Sequence, residues 1–266
     1  MGQTALITGA SAGLGVEFAQ LFAADGHDVV LVARRKDRLD ALAAELAKKH
    51  GVKAHAISAD LMRPESPAAV VAEVKRLGLE IDYLVNNAGF GTRGAFHALD
   101  LEEELGEVQC NVGALVELTG ALLPGMVARG RGRVLNIGST AGFQAGPYMA
   151  TYYATKAFVN TFTEALWYEL RGTGVTATVS CPGPTATDFF KAAEVKPTLL
   201  MLGELSAGVV ARDAYRAMHA GQPLVIHGLQ NRLIAASTRV TPRFILRALV
   251  ALLNRPPPTW ALKARG

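Results

Sequence analysis

Short apolar runs alternate along the chain with longer stretches in which apolar residues recur every three or four positions. Residues 4–8, 28–33, 53–58, 81–85, 133–137, 175–180 and 224–226 read as strands. Their apolar side chains are continuous rather than alternating, the pattern of strands buried on both faces. Between them, residues 12–25, 37–50, 66–77, 100–129, 151–171 and 206–220 carry helical spacing, as in Leu39, Leu42 and Leu46 on one face of the second helix. Ser66 reads as a helix cap with Pro67 in the first turn, and Asp100 as the cap of one long helix whose acids at 102–104 complement its N-terminal dipole. Strands separated by helices allow parallel crossovers. The pattern therefore predicts an α/β fold, a Rossmann-type doubly wound parallel sheet of about seven strands flanked by helices.

In such sheets ligands bind beyond the carboxyl ends of the strands, so the residues that follow each strand carry the chemistry. After the first comes Thr8-Gly9-Ala10-Ser11-Ala12-Gly13-Leu14-Gly15, with glycines spaced G-x3-G-x-G. Glycines let the backbone turn sharply against a pyrophosphate, and the helix that follows offers unpaired N–H groups. After the second strand stand Arg34, Arg35 and Lys36. An acid there would bind ribose hydroxyls and favour NAD(H); arginines suit a 2′-phosphate and favour NADP(H). Later strands end in Asp60-Leu61, Asn86-Asn87-Ala88-Gly89, Gly138-Ser139-Thr140 and Pro182-Gly183-Pro184-Thr185-Ala186-Thr187.

The last helix but one opens with Tyr152-Tyr153-Ala154-Thr155-Lys156. A phenol has a pKa near ~10, and a neighbouring ammonium stabilises its phenolate. Both tyrosines are within one helical turn of Lys156, so spacing does not choose between them.

Taken together, these elements resemble the classical short-chain dehydrogenases/reductases. The carriers are TGASAGLG (8–15), DL (60–61), NNAG (86–89), Asn111, Ser139, YYATK (152–156) and PGPTAT (182–187), in family order over residues 3–226. The resemblance implies oxidation of an alcohol or reduction of a carbonyl with a nicotinamide cofactor. Its Y-x-x-x-K motif selects Tyr152 as general acid or base and leaves Tyr153 to packing or the substrate wall. It implies that Lys156 tunes Tyr152 and holds the nicotinamide ribose, that Ser139 bonds the substrate oxygen, and that Asn111 holds a water in a relay with Lys156. Cofactor contacts carried over are Gly9, Ser11, Gly13, Leu14 and Gly15 at the pyrophosphate, and Arg34 and Arg35 at the 2′-phosphate. Asp60 and Leu61 fall at the adenine, Asn87, Ala88 and Gly89 along the adenosine ribose, and Pro182, Gly183 and Thr187 near the carboxamide. Homodimers or homotetramers are the family's usual assemblies. Two rival readings remain, a nucleotide-sensing regulator without turnover and an epimerase or dehydratase on the same fold.

Composition adds location and partners. The 266 residues hold two cysteines far apart in sequence and six scattered histidines. The reading is a cytoplasmic protein with reduced thiols and no metal site. Residues 1–228 are expected to form one dinucleotide-binding and catalytic domain, with a substrate lid at about 188–205. Phe189, Phe190, Leu199, Leu200, Met201 and Leu202 would make that lid apolar, and with it a lipophilic ketone, aldehyde or acyl-type substrate. Residues 205–266 carry nine basic side chains and one acid, whereas 1–204 carry 18 basic and 22 acidic. Residues 229–266 therefore read as a basic amphipathic extension, with three roles open: packing on the domain or a sister subunit, peripheral contact with a membrane, or a site for an acidic carrier or substrate. Its basic residues interleave with aliphatic rather than stacking aromatic side chains, which argues against nucleic acid.

Overall fold

A computed structural model describes residues 2–186 and 205–256. Strands β1 (Thr4–Thr8), β2 (Asp28–Ala33), β3 (Ala54–Ser58), β4 (Tyr83–Asn86), β5 (Gly132–Ile137), β6 (Val175–Cys181) and a late edge strand (Leu224–Ile226) make a seven-stranded parallel sheet. Its order is β3-β2-β1-β4-β5-β6 and then the edge strand. Helices α1 (Gly13–Ala24), α2 (Lys36–His50), α3 (Ser66–Arg76), α4 (Leu101–Val108), α5 (Ala114–Ala128) and α6 (Ala150–Glu169) alternate with the strands. Short strands β7 (Thr185–Ala186) and β8 (Leu205–Ser206) pair in parallel, Thr185 with Leu205 and Ala186 with Ser206. Helix α7 (Ala207–His219), the edge strand, here β9, and helices α8 (Leu229–Ser237) and α9 (Arg243–Asn254) follow.

Period-two alternation within fully buried strands sends successive side chains to opposite cores. Ala5, Ile7, Val29 and Leu31 meet Phe18, Phe22, Leu46 and Met218 from α1, α2 and α7. Leu6, Val30 and Val32 meet Val70, Val74, Leu118 and Leu166 from α3, α5 and α6. Strand order reverses between β1 and β4, the place where such a sheet opens a crevice.

Two local expectations change and one holds. Glu65, not Ser66, occupies the cap position of α3, and no side chain caps it. Asp100 does cap α4, accepting from the N–H groups of Glu102 (2.7 Å) and Glu103 (3.2 Å). The long helix of 100–129, however, is divided by a π-turn at Gln109–Gly113. Leu101–Ala128 is long and apolar enough by composition to cross a bilayer. In this fold it is a domain helix pair with Glu107 and Asn111 buried along it.

Candidate active site

The carboxyl ends of the strands open onto one cavity of about 840 Å³. At the switch point, Thr8 ties β1 to β4: its Oγ1 accepts from the N–H groups of Asn87 (3.0 Å) and Ala88 (2.9 Å), and its carbonyl accepts from Asn87 Nδ2 at 2.9 Å. Gly9 adopts φ 67°, and a Cβ there would lie 2.8 Å from Asn87 Nδ2. Gly9, Ser11, Gly13 and Leu14 line the cavity. Gly15 does not; a Cβ on it would collide with the Gly9 carbonyl, so it lets α1 pack against the loop.

Arg34 and Arg35 are exposed at the end of β2 and line the same cavity. Arg35 donates to Ser11 Oγ (3.1 Å) and to the Ser11 carbonyl (3.4 Å), which fastens it to the glycine-rich loop. Arg34 Nη1 lies 3.9 Å from Met62 Sδ. Asp60 and Leu61 line the wall beside them, and Ala88 and Gly89 the floor. Pro182 and Gly183 face in from the far side. Thr187 and all of the expected lid except Leu205 lie outside the described residues.

The reacting end is built by β5 and α6. Ser139 is buried, with its Oγ accepting from the Ala141 N–H at 3.1 Å and donating to the Pro182 carbonyl at 3.4 Å. The Tyr152 side chain hydrogen-bonds Ser139. Burial pushes the Tyr152 phenol above its ordinary range, and the Ser139 bond opposes that push. Lys156 is buried; its Nζ donates to the Ile137 carbonyl at 2.7 Å and stands 5.8 Å from the Tyr152 ring centroid. Burial lowers the Lys156 ammonium to about 8, against the opposing pull of Cys110 and Glu107. Tyr153 takes a different partner, Asn254 of α9, and its ring closes over Gly146. The tertiary structure thus separates two phenols that spacing alone left equivalent. Just before α6, Tyr148 holds a left-handed φ of 65°, with its carbonyl accepting from the Gly94 N–H at 2.8 Å. For a bulky residue this conformation is strained by roughly 1–3 kcal/mol.

Behind Lys156 lies a layer that the strand-end reading did not reach. Asn111, in the π-turn, does not line the cavity. Its amide donates to the Phe90 carbonyl (2.9 Å) and Thr155 Oγ1 (3.1 Å), and its Oδ1 accepts from the Phe90 N–H (3.1 Å). Glu104 accepts from the hydroxyls of both Thr92 and Thr151, the latter next to Tyr152. Glu107 Oε2 accepts from the Thr92 N–H at 2.9 Å, while its buried Oε1 has no hydrogen-bond partner among the described residues. Burial raises the Glu107 carboxyl to about 7, and Lys156 opposes the rise. The acids at 102–104 stand in the first turn of α4, where its dipole favours them, and Glu104 also ties α4 to α6. A second group reaches the cavity from the tail: Gln230, Asn231 and Ile234 of α8, and Leu253 and Asn254 of α9. No local motif marks these residues; only the apolar periodicity of the extension hinted that it packs.

Ser180, His227 and Asp213 line up as a serine triad would, at 2.8 Å and 3.7 Å. Ser180 is fully buried and outside the cavity lining, so this contact pins β6 beside β9 and offers no nucleophile.

The short-chain dehydrogenase family model matches residues 3–197, and the chain belongs to that family. Ketoacyl reductase HetN of Nostoc sp. is 40% identical over 182 residues, covering 68% of this chain and 63% of that protein. A very-long-chain 3-oxoacyl-CoA reductase of Laccaria bicolor is 39% identical over 177 residues, covering 66% of this chain and 52% of the relative. The chain therefore spans between half and two thirds of the length of these relatives. Among solved structures, a short-chain dehydrogenase from Sphingobium yanoikuyae in complex with NADPH is 36% identical with a TM-score of 0.80, covering 89% of this chain and 93% of that one.

Proposed function

We propose that the chain is an NADP(H)-dependent oxidoreductase that interconverts a carbonyl and an alcohol on a lipophilic, acyl-type substrate. The observation that carries the reading is the meeting of Ser139, Tyr152 and Lys156 at one cavity. The glycine-rich cradle fits a dinucleotide: a Cβ on Gly9 would crowd Asn87 and Ala88, and Gly13 and Leu14 at the start of α1 line the cavity, where a helix N-terminus suits a pyrophosphate. Arg34 and Arg35, with no acid at the end of β2, suit a 2′-phosphate. When bound, the reduced nicotinamide supplies a hydride to a carbonyl carbon.

The protein's part is proton management. Ser139 Oγ and the Tyr152 hydroxyl hold the substrate oxygen, donating more strongly as charge builds on it. Tyr152 then gives up its proton to that oxygen. Burial keeps the free phenol protonated, which readies it for the reductive direction. Lys156 compensates the phenolate left behind, and with an ammonium titrating near 8 it can pass a proton on. Asn111 and Gly89 lie beside it: a Cβ on Gly89 would be 2.9 Å from Asn111 Oδ1 and 3.5 Å from Lys156 Nζ. This adjacency supports a relay through Asn111.

An apolar substrate is supported by Phe90, Met149, Ile234 and Leu253 in the lining, and by the names of the Nostoc and Laccaria relatives. We place the catalytic domain at 1–228 with the basic extension closing one wall. Leu101, Leu105 and Phe158, exposed on α4 and α6, support association of copies through those helices. A cytoplasmic location with peripheral membrane contact fits the charge of the tail. Incubation with NADPH and a panel of 3-oxoacyl thioesters and bulky ketones tests the reading. Consumption of NADPH on any of them is expected; tight NADPH binding without turnover on the whole panel would favour the sensing alternative.

A further inference from the structure

The outer surface of α8 and α9 is apolar where a soluble domain's surface is ordinarily polar. On α8, Leu229 is 73% exposed and Leu233, one turn on, is 63% exposed. Val240, between the helices, is 83% exposed. On α9, Phe244, Leu249 and Leu252 are exposed by 67%, 53% and 74%. At 3.6 residues per turn, α9 carries two apolar stripes on different sides. Leu246, Val250 and Leu253 face the protein; Ile245, Ala248, Leu249 and Leu252 face away. An accumulation of exposed apolar residues of this kind marks a contact.

The charges around it identify the partner. Every charged side chain between residues 229 and 256 is an arginine, at 232, 239, 243, 247 and 255, and all five are exposed. A contact with a second copy through this surface would join two faces that carry arginines and no acid, an unfavourable meeting of like charge. An anionic surface with an apolar interior complements both features. A helix of 12 residues is about 18 Å long, too short for a hydrocarbon core of about 30 Å, so it lies along the interface.

We propose that α8 and α9 dock the protein on an anionic lipid surface, with their outward leucines and Phe244 among the acyl chains and the arginines at the phosphates. The same helices wall the cavity. Ile234 and Leu253 line it while their neighbours Leu233 and Leu252 face outward. Arg93 Nε donates to the Asn254 carbonyl at 2.8 Å, and Asn254 Nδ2 donates to the Pro147 carbonyl at 3.2 Å, so the end of α9 is fastened beside the reacting groups. Docking therefore sets this wall of the cavity at the bilayer, from which a lipophilic substrate enters without crossing water. That last step rests on the function proposed above; the docking does not.

Sedimentation of the full chain with vesicles of phosphatidylcholine alone, and of phosphatidylcholine mixed with phosphatidylglycerol, tests it. Binding to the mixed vesicles at low salt is expected to exceed binding to the neutral ones by about ten-fold or more. Leu249→Glu with Leu252→Glu, and separately Arg243→Gln with Arg247→Gln, should each abolish it while leaving NADPH binding and the melting temperature unchanged. Equal binding to both vesicles, or to neither, overturns the proposal. So does a lipid-free dimer that Leu249→Glu dissolves, or salt-sensitive binding to polyglutamate in place of vesicles. Docking without carbonyl turnover would leave the proposal standing and sink the function; turnover without docking would do the reverse.

Discussion

Lys156 Nζ stands 5.8 Å from the ring centroid of Tyr152, one turn along the same helix, and donates to the Ile137 carbonyl at the end of β5. The ammonium is thus fixed by the sheet rather than by the phenol. Its charge lies beneath the ring, where a phenolate forming on Tyr152 would feel it.

Arg34 and Arg35 are predicted to act differently. Arg35 also holds Ser11, so Arg35→Ala should loosen the glycine-rich loop and weaken NADH as well as NADPH, NADPH the more because its 2′-phosphate loses a cation too. Arg34→Ala should weaken NADPH alone, by about ten-fold or more, the worth of one charge-assisted hydrogen bond. Fluorescence titration with both cofactors measures this. Equal losses for NADH and NADPH in Arg34→Ala would contradict the assignment.

Gly89→Ala places a methyl group 2.9 Å from Asn111 Oδ1. That amide is committed to Phe90 on both sides, so it has little room to yield. We expect a loss of about 1–3 kcal/mol in stability, the cost of disturbing buried hydrogen bonds, together with weaker NADPH binding. An unchanged denaturation midpoint would show that the Asn111 layer is soft.

Glu107 makes stability depend on pH. Its carboxyl titrates at about 7 in the fold against 4.5 for an ordinary glutamate, chiefly through burial. The folded protein therefore keeps this proton longer than the unfolded chain. Its contribution is complete below about pH 4.5 and is lost as pH rises through about 7. Glu107→Gln should remove that loss and gain on the parent as pH rises, by on the order of 3 kcal/mol at most. Melting curves across this range decide it; parallel profiles for parent and variant would refute the buried acid.

Asn254→Ala frees Tyr153 and the end of α9 from one another. The predicted result is a raised KM for apolar substrates with kcat little changed, because Tyr152 keeps its Ser139 partner. A kcat loss equal to that of a Tyr152 variant would mean that Tyr153 takes part in the chemistry.

All seven strands of the main sheet were legible in the sequence, because two-sided burial demands uninterrupted apolar runs. So were the residues at the strand ends, since glycines, asparagines and prolines there break those runs. The π-turn at Gln109–Gly113 was not legible: its side chains keep helical periodicity while the backbone shifts by one bond. Glu104 read as one of three acids at a helix start and Glu107 carried no local signal; only the fold brings Thr92 against both and Thr151 against Glu104. The buried ladder from Thr119 through Asn86 and Asn136 to Thr163 joins four elements with no shared local pattern. Likewise Tyr152 and Tyr153 are told apart by partners 13 and 101 positions away, Ser139 and Asn254.

The most direct measurement compares Tyr152→Phe with Tyr153→Phe in NADPH consumption on a responsive ketone, with NADPH affinity followed by fluorescence. Loss of turnover by several orders of magnitude in Tyr152→Phe alone, with cofactor affinity intact in both, is the predicted result. Retained turnover in Tyr152→Phe would contradict the account.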